Sequence, residues 1–113
     1  MTEEQEAEVP EGAAVFPLIP AELQIHPLLL AVLHATVFLS GSDDEVVNPS
    51  AAAESLEYMA SCLERLKGPD MDRVRADMNC LVEFARREKW PKQHLQFIKT
   101  FLADYGVGRK GAG

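Results

Sequence analysis

The chain has 113 residues and a formal net charge of −7, with 47% hydrophobic and 26% charged residues. This length favours a single domain, and the composition is typical of a globular protein rather than a disordered or fibrous one. The negative charge argues against non-specific binding to nucleic acid and to anionic membranes, both of which attract basic proteins.

The charge is divided unevenly along the chain. Residues 1–57 contain eleven acidic and no basic residues, whereas residues 58–113 contain seven acidic and eleven basic residues. Halves of opposite charge attract each other, either within one chain or between two copies. A solvated acidic tail beside a surface of mixed charge is the simpler interpretation.

The cysteines and the apolar segments indicate where the protein acts. Cys62 and Cys80 are the only cysteines, so the sequence contains neither a disulfide framework nor a four-cysteine zinc site. Since the acidic N-terminus does not resemble a secretory signal, we expect a reducing compartment, namely the cytoplasm. The longest apolar stretch, residues 27–39, is too short to span a bilayer, and no membrane association is expected.

Three regions are expected in chain order. Residues 1–14 contain five glutamates and little apolar surface, which predicts a disordered acidic tail. Residues 15–107 are predicted to form the folded domain, and residues 108–113 a frayed C-terminal tail. The domain begins with residues 15–20, whose two prolines predict an extended segment.

The first helix is predicted over residues 27–39, with His26 as its cap and Pro27 at the first helical position. Its apolar residues surround the axis on all sides, which is typical of a central helix. We therefore expect His34, in the middle of this helix, to be buried and bonded to a carbonyl group.

The second helix is predicted to begin at Asn48, which is a good N-cap, and Pro49. Gly68 and Pro69 are expected to end it. Its apolar residues have the four-and-three spacing of one narrow helical stripe: Ala52, Leu56, Met59, Leu63 and Leu66. Cys62 flanks the apolar stripe of this helix and is expected to be buried as a small hydrophobic side chain.

The third and fourth helices are also predicted to be amphipathic. The third begins near Asp70 and ends near Lys89, with a stripe formed by Met71, Val74, Met78, Leu81 and Ala85. Arg73–Asp77 and Glu83–Arg87 have the spacing of ion pairs on its flanks. The fourth begins at Pro91 and ends at a Gly106 cap, with a stripe formed by Leu95, Ile98, Leu102 and Tyr105.

Together these elements predict an all-α fold, a single-domain bundle of about four helices. One apolar helix is expected at its centre, with three amphipathic helices packed around it. Short connections between the helices favour antiparallel neighbours. No motif in the chain indicates a known family.

The chemistry-bearing residues do not predict an enzyme. The three histidines and two cysteines lack the spacing of a metal site, so neither a metal nor a cofactor is expected. Cys80 lies in the middle of a helix without the positive partner that a catalytic thiolate needs. No glycine-rich phosphate loop or nucleophile elbow occurs.

Two surfaces are candidates for binding. On the third helix, Ala76, Cys80 and Phe84 form a second apolar face, which Arg73 and Arg87 flank. Because a surface helix needs only one apolar face, this second face is predicted to pack against another helix of the chain or against a second chain, as in a homodimer. The other surface is a basic patch around an aromatic residue, formed by Arg86, Arg87, Lys89, Trp90 and Lys92.

The sequence thus favours a small non-catalytic module that binds a protein partner or a second copy of itself. Two alternatives stay open. The basic patch at residues 86–92 would suit a nucleic-acid-binding regulator, although the negative net charge of the protein disfavours nucleic acid as a partner. A bundle whose stripes do not close completely would bind a small molecule.

Overall fold

A computed structural model describes residues 11–105, and within that range the protein is helical with no strand. Four α-helices follow one turn of 3₁₀ helix at Ala21–Leu23. We number them α1 (Pro27–Gly41), α2 (Pro49–Leu63), α3 (Gly68–Arg87) and α4 (Lys92–Asp104). The predicted all-α bundle is confirmed. The cap at Gly106, the tail at 108–113 and most of the acidic tail lie outside the described residues.

The helices form two hairpins. α1 packs mainly against α2, and α3 packs mainly against α4. The connection between α3 and α4 is short, and short connections make consecutive helices antiparallel neighbours. One core spans both hairpins, with its buried apolar side chains contributed by α1, α3, α4 and the segment before α1: Phe16, Ile25, Leu29, Leu33, Met78, Leu81, Ala85, Ile98 and Phe101.

The first two helices begin as the sequence predicts. His26 Nδ1 accepts a hydrogen bond from the Leu28 N–H at 3.1 Å, and Asn48 Oδ1 accepts one from the Ala51 N–H at 3.0 Å. Each acceptor satisfies an amide that has no partner inside the helix. A proline occupies the first turn of both helices. Both predicted caps are therefore confirmed.

The predicted end of α2 at Gly68 is wrong. The helix ends at Leu63, and Gly68 with Pro69 begins α3 instead. Gly68 has a φ of +59°, a conformation that glycine adopts without a steric penalty. Pro69 then has the φ of a first helical turn and needs no amide hydrogen. The same two residues that typically stop a helix thus start the next one.

α3 ends in a left-handed turn formed by a lysine. Lys89 has a φ of +56°, and its N–H donates to the Arg86 carbonyl at 3.2 Å. The Trp90 N–H donates to the Ala85 carbonyl at 3.0 Å. This is the hydrogen-bond pattern of a Schellman motif, which satisfies the last carbonyls of a helix. The turn directs Trp90 back onto the end of α3.

The segment before α1, residues 12–26, runs along the bundle as a strap, and we call it the N-terminal strap. At one end the Gly12 carbonyl accepts a hydrogen bond from the Asp43 N–H at 2.8 Å. The Ala14 N–H donates to Ser42 Oγ at 2.8 Å. Phe16 is buried in the core, and residues 13–20 belong to neither a helix nor a strand. Pro20, the last residue of the segment predicted to be extended, has an extended backbone conformation. Contact with the bundle therefore starts before Val15, the predicted first residue of the domain.

A buried carboxylate holds the other end of the strap. Asp77 on α3 is only 7% exposed, and its Oδ2 accepts a hydrogen bond from the His26 N–H at 2.9 Å. The predicted Arg73–Asp77 pair is confirmed, with 3.1 Å between Arg73 Nε and both carboxylate oxygens. Arg73 Nη2 also donates to the Gln24 carbonyl at 3.0 Å. One ion pair on α3 thus binds the backbone of the strap at two points.

α1 is not surrounded by the other helices, contrary to the central position that its apolar sequence predicts. Of its fifteen residues only Leu29, Leu33 and Thr36 are buried, while Leu28 is 71% exposed. His34 is exposed, so its predicted burial is wrong. Each helix of a four-helix bundle directs one side to the bundle core and leaves another side to solvent.

We expect Asp77→Ala to lower the free energy of unfolding by about 1–3 kcal/mol, because the His26 N–H and the Arg73 guanidinium lose a shared acceptor. In a domain of this size that change lowers the Tm by roughly 4–8 °C per kcal/mol. Thermal unfolding followed by circular dichroism measures it. The control is Asp72→Ala, since Asp72 is exposed on the same helix. Equal Tm values for the two variants would contradict the structural role of Asp77.

Tyr105 gives the stability a dependence on alkaline pH. Burial of its side chain, and secondarily the negative charge of Asp104, raises the pKa of the phenol above its usual value of 10.0. A group with a raised pKa in the folded state stabilises the protein below the unfolded-state pKa, and this contribution disappears as the pH rises through the folded-state pKa. We therefore expect Tyr105→Phe to lose less stability than the wild type between pH 9 and pH 11, as measured by urea unfolding. Parallel curves for the two proteins would contradict this.

Candidate interaction surfaces

The predicted apolar face on α3 is partly covered within the chain. Ala76 is exposed, whereas Cys80 and Phe84 are half-buried. The rings of Phe84 and Trp90 lie with their centroids 6.1 Å apart and their planes at 87°. This is the edge-to-face arrangement that aromatic pairs favour. The side chain that most needs cover on this face therefore has a partner inside its own chain.

The two arginines that flank this face are also engaged within the chain. Arg73 binds Asp77 and the carbonyl of Gln24. The guanidinium carbon of Arg87 lies 6.0 Å from the centroid of the Phe84 ring, at the distance of a cation–π contact. Glu83, the predicted partner of Arg87, instead lies 3.6 Å from Arg86 Nη1. An exposed pair of this kind contributes little to stability.

In the basic patch, the structure exposes the cations but not the aromatic residue. Arg86, Arg87, Lys89 and Lys92 are exposed. Trp90 is half-buried, with its ring centroids 5.7 Å from Phe16, 6.1 Å from Phe84 and 6.3 Å from His94. The indole thus joins the strap to the end of α3 and the beginning of α4. A base-stacking surface needs an aromatic face open to solvent, and these contacts occupy much of the indole.

The histidines and cysteines lie apart. His26 caps α1, His34 is exposed, and His94 is half-buried with a buried Nδ1 that has no hydrogen-bond partner among the described residues. Cys62 is exposed on α2, so its predicted burial is wrong, and Cys80 is half-buried on α3. Within residues 11–105, no three His, Cys, Asp or Glu side chains are grouped as a metal ion requires.

The structure reveals a third surface, on a side of α1 that carries none of its three buried residues. Leu28 and Ala31 are exposed there, and Ala35 and Phe38 are half-buried. These four residues follow one another at intervals of three, four and three, so they share one narrow stripe of the helix. We call this stripe the outer face of α1. No residue from Pro27 to Gly41 is a lysine, arginine, aspartate or glutamate.

An apolar cleft adjoins this stripe. It lies between the first half of α1, the end of α2 and the beginning of α3, and its volume is about 320 Å³. Leu28 lies on both the outer face and the cleft. The side chains that line the cleft are mostly aliphatic: His26, Leu28, Leu29, Val32, Leu63, Leu66, Asp70, Arg73, Val74 and Phe101.

α2 is poorly covered beside this cleft. Its predicted stripe is present, but of its fifteen residues only Ala52 is buried. Leu56, Met59 and Leu63 are half-buried, and Tyr58 is 72% exposed. The incompletely packed sides of α1 and α2 therefore lie in the same hairpin.

Sequence reasoning missed the outer face because it treated an apolar helix as a buried one. The composition of α1 contains the relevant information, since a fifteen-residue helix without a charged side chain has no strongly polar face to direct toward water. What the sequence does not reveal is which side of that helix the rest of the chain leaves uncovered.

Comparisons of the chain with models of protein families, with curated proteins and with solved structures gave no match. Among the described helices, none combines the length and the apolar character needed to cross a bilayer.

We expect Phe84 and Trp90 to be energetically coupled, with an interaction energy of about 0.5–1.5 kcal/mol. Urea unfolding of Phe84→Ala, of Trp90→Ala and of the double variant measures this coupling in a double-mutant cycle. A control cycle combines Arg86→Ala with Trp90→Ala. Arg86 is exposed, and it forms an ion pair with Glu83. Additive effects of Phe84→Ala and Trp90→Ala would show that the two rings do not stabilise each other.

Proposed function

We propose that the protein is a small non-catalytic interaction module that binds a protein partner through the outer face of α1 and the adjoining cleft. The observation that carries this proposal is the uncharged sequence of α1 combined with the exposure of Leu28 and Ala31. An exposed apolar surface beside an apolar cleft is typical of an interaction site when the apolar patch is large.

The free energy available at this surface supports binding. Burial of apolar surface contributes roughly 25 cal/mol per Å². Leu28, at 71% exposure, has most of its side chain still to bury. The cleft beside it offers concave aliphatic walls, and a concave apolar site favours a complementary apolar side chain. A partner that covers both would remove more apolar surface from water than contact with either one alone.

The other candidate surfaces have weaker support. Phe84 on α3 already packs against Trp90, and Arg73 and Arg87 already have partners in the chain. The basic patch lacks an exposed aromatic residue and belongs to a protein with a net charge of −7. A self-associating α3 face and a nucleic-acid-binding patch both stay predictions of the sequence that no further observation favours.

The proposal predicts that Leu28→Glu prevents partner binding without unfolding the protein. Leu28 is exposed in the first turn of α1, where a negative charge interacts favourably with the helix dipole. Affinity capture from native cells, quantified by mass spectrometry with wild-type and variant baits, measures the loss. We expect the specifically captured proteins to fall by at least about tenfold, since a buried unpaired carboxylate costs more than 1.4 kcal/mol.

The matched control is Ala76→Glu, which introduces the same charge at an exposed position of α3. This bait should capture the same proteins as the wild type. Equal capture by wild type and Leu28→Glu would refute binding through α1. Loss with Ala76→Glu alone would instead assign the interaction to the α3 face.

A further inference from the structure

We infer that the acidic residues before Glu11 bind the basic patch of their own chain and compete there with other polyanions. We call these residues the N-terminal glutamates; they precede the described part of the chain and are Glu3, Glu4, Glu6 and Glu8. The basic patch shares no residue with the outer face of α1 or with its cleft. The contact is thus autoinhibitory for a surface other than the proposed binding site.

The basic patch is the densest cluster of positive charge in the sequence. Residues 86–92 contain four basic side chains, more than any other stretch of seven residues, and all four are exposed. Glu83 and Glu88 are the acidic residues of the same part of the chain, and Glu83 lies 3.6 Å from Arg86 Nη1. Four cations and two carboxylates leave an excess of positive charge, which attracts acidic groups.

The strap places Glu11, from which the N-terminal glutamates extend, within reach of this patch. The ring centroid of Phe16 on the strap lies 5.7 Å from that of Trp90, a member of the patch. Glu11 is five residues before Phe16, so their Cα atoms are at most about 18 Å apart. The N-terminal glutamates are three to eight residues before Glu11, which gives them a reach of up to about 29 Å from it. Their carboxylates can therefore contact the cations around Trp90.

The charges near Glu11 favour the patch over the connection between α1 and α2. The Gly12 carbonyl accepts a hydrogen bond from the Asp43 N–H, so this connection lies beside the start of the strap. Asp43, Asp44 and Glu45 in the connection are all exposed. Like charges repel, so the N-terminal glutamates are disfavoured beside these three residues and favoured beside the cations.

The covalent connection favours the chain's own glutamates over an acidic group from another molecule. A short connection corresponds to an effective concentration of about 1 mM, whereas another molecule contributes only its free concentration. Each ion pair between exposed side chains is weak, so the contact opens readily. A ligand with many negative charges can displace it, and a ligand with few cannot. The N-terminal glutamates thus set a charge threshold for binding to the patch.

Zero-length carbodiimide cross-linking of the full chain tests the contact, because the reagent joins a carboxylate to an amine only where the two touch. We expect links from the N-terminal glutamates to Lys89 or Lys92 on monomeric protein, in a yield that is independent of protein concentration. The yield should fall in about 1 M salt, where the Debye length is about 3 Å. Links mainly to Lys67 or Lys99, no links, or a yield that rises with protein concentration would overturn binding within the chain.

A binding assay with matched charge variants tests the competition. One variant replaces all four N-terminal glutamates by glutamine. The control replaces four exposed glutamates of the described residues: Glu22→Gln, Glu54→Gln, Glu57→Gln and Glu64→Gln. Both variants change the net charge from −7 to −3, so they differ only in the position of the removed charge. Circular dichroism should give both the helicity of the wild type.

The probe is a fluorescent heparin oligosaccharide, whose binding is followed by anisotropy in about 0.1 M salt. With an effective concentration of about 1 mM and a dissociation constant of roughly 0.5 mM for the contact, the N-terminal variant should bind the probe about threefold more tightly than the control. Adding Arg86→Gln and Arg87→Gln to the N-terminal variant should remove this gain. Equal affinities of the two matched variants, or a gain that persists without the two arginines, would overturn the autoinhibitory contact.

Discussion

The attachment of the N-terminal strap to α3 through the Asp77 carboxylate sets the arrangement of both hairpins. The carboxylate is buried, and a buried charge is tolerated only with a partner and hydrogen bonds, which Arg73 and the His26 N–H supply. Since His26 is also the cap of α1, this bond places the start of the first hairpin against the second. Phe16, at the other end of the strap, packs against Trp90 and Phe97. The position of α1, and with it the exposure of its outer face, follows from these attachments.

Local sequence rules predicted the helices well, because the determinants lie within a few residues of one another. Asn48 with Pro49, and His26 with Pro27, were predicted to begin helices, and each pair does so. The stripe of α3 supplies three of the residues in the core. Gly68 was misassigned because glycine and proline occur at both ends of helices, and only the three-dimensional structure shows which helix they belong to.

Surface properties were less predictable, because they depend on what packs against each helix. The sequence placed Asp77 in an ion pair but not in the interior, since its second partner is a backbone amide 51 positions away. It likewise identified the apolar faces of α1 and α3 without showing that Trp90 covers the latter. His34 was expected to be buried as part of an apolar helix, and Cys62 as a neighbour of the apolar stripe of α2, but both are exposed. Helical periodicity identifies the sides of a helix, and the tertiary packing decides which side meets water.

The strap has a consequence for the order of folding. The two hairpins form from contacts between residues close in the sequence, and such contacts close quickly. The strap bonds at Asp77 and Arg73 instead join residues 51 and 49 positions apart, which carry a larger entropic cost of loop closure. We therefore expect the hairpins to form first and the strap to dock last. Until it docks, Trp90 and Phe97 lack the cover of Phe16, so the newly made chain exposes this apolar surface as well as the outer face of α1.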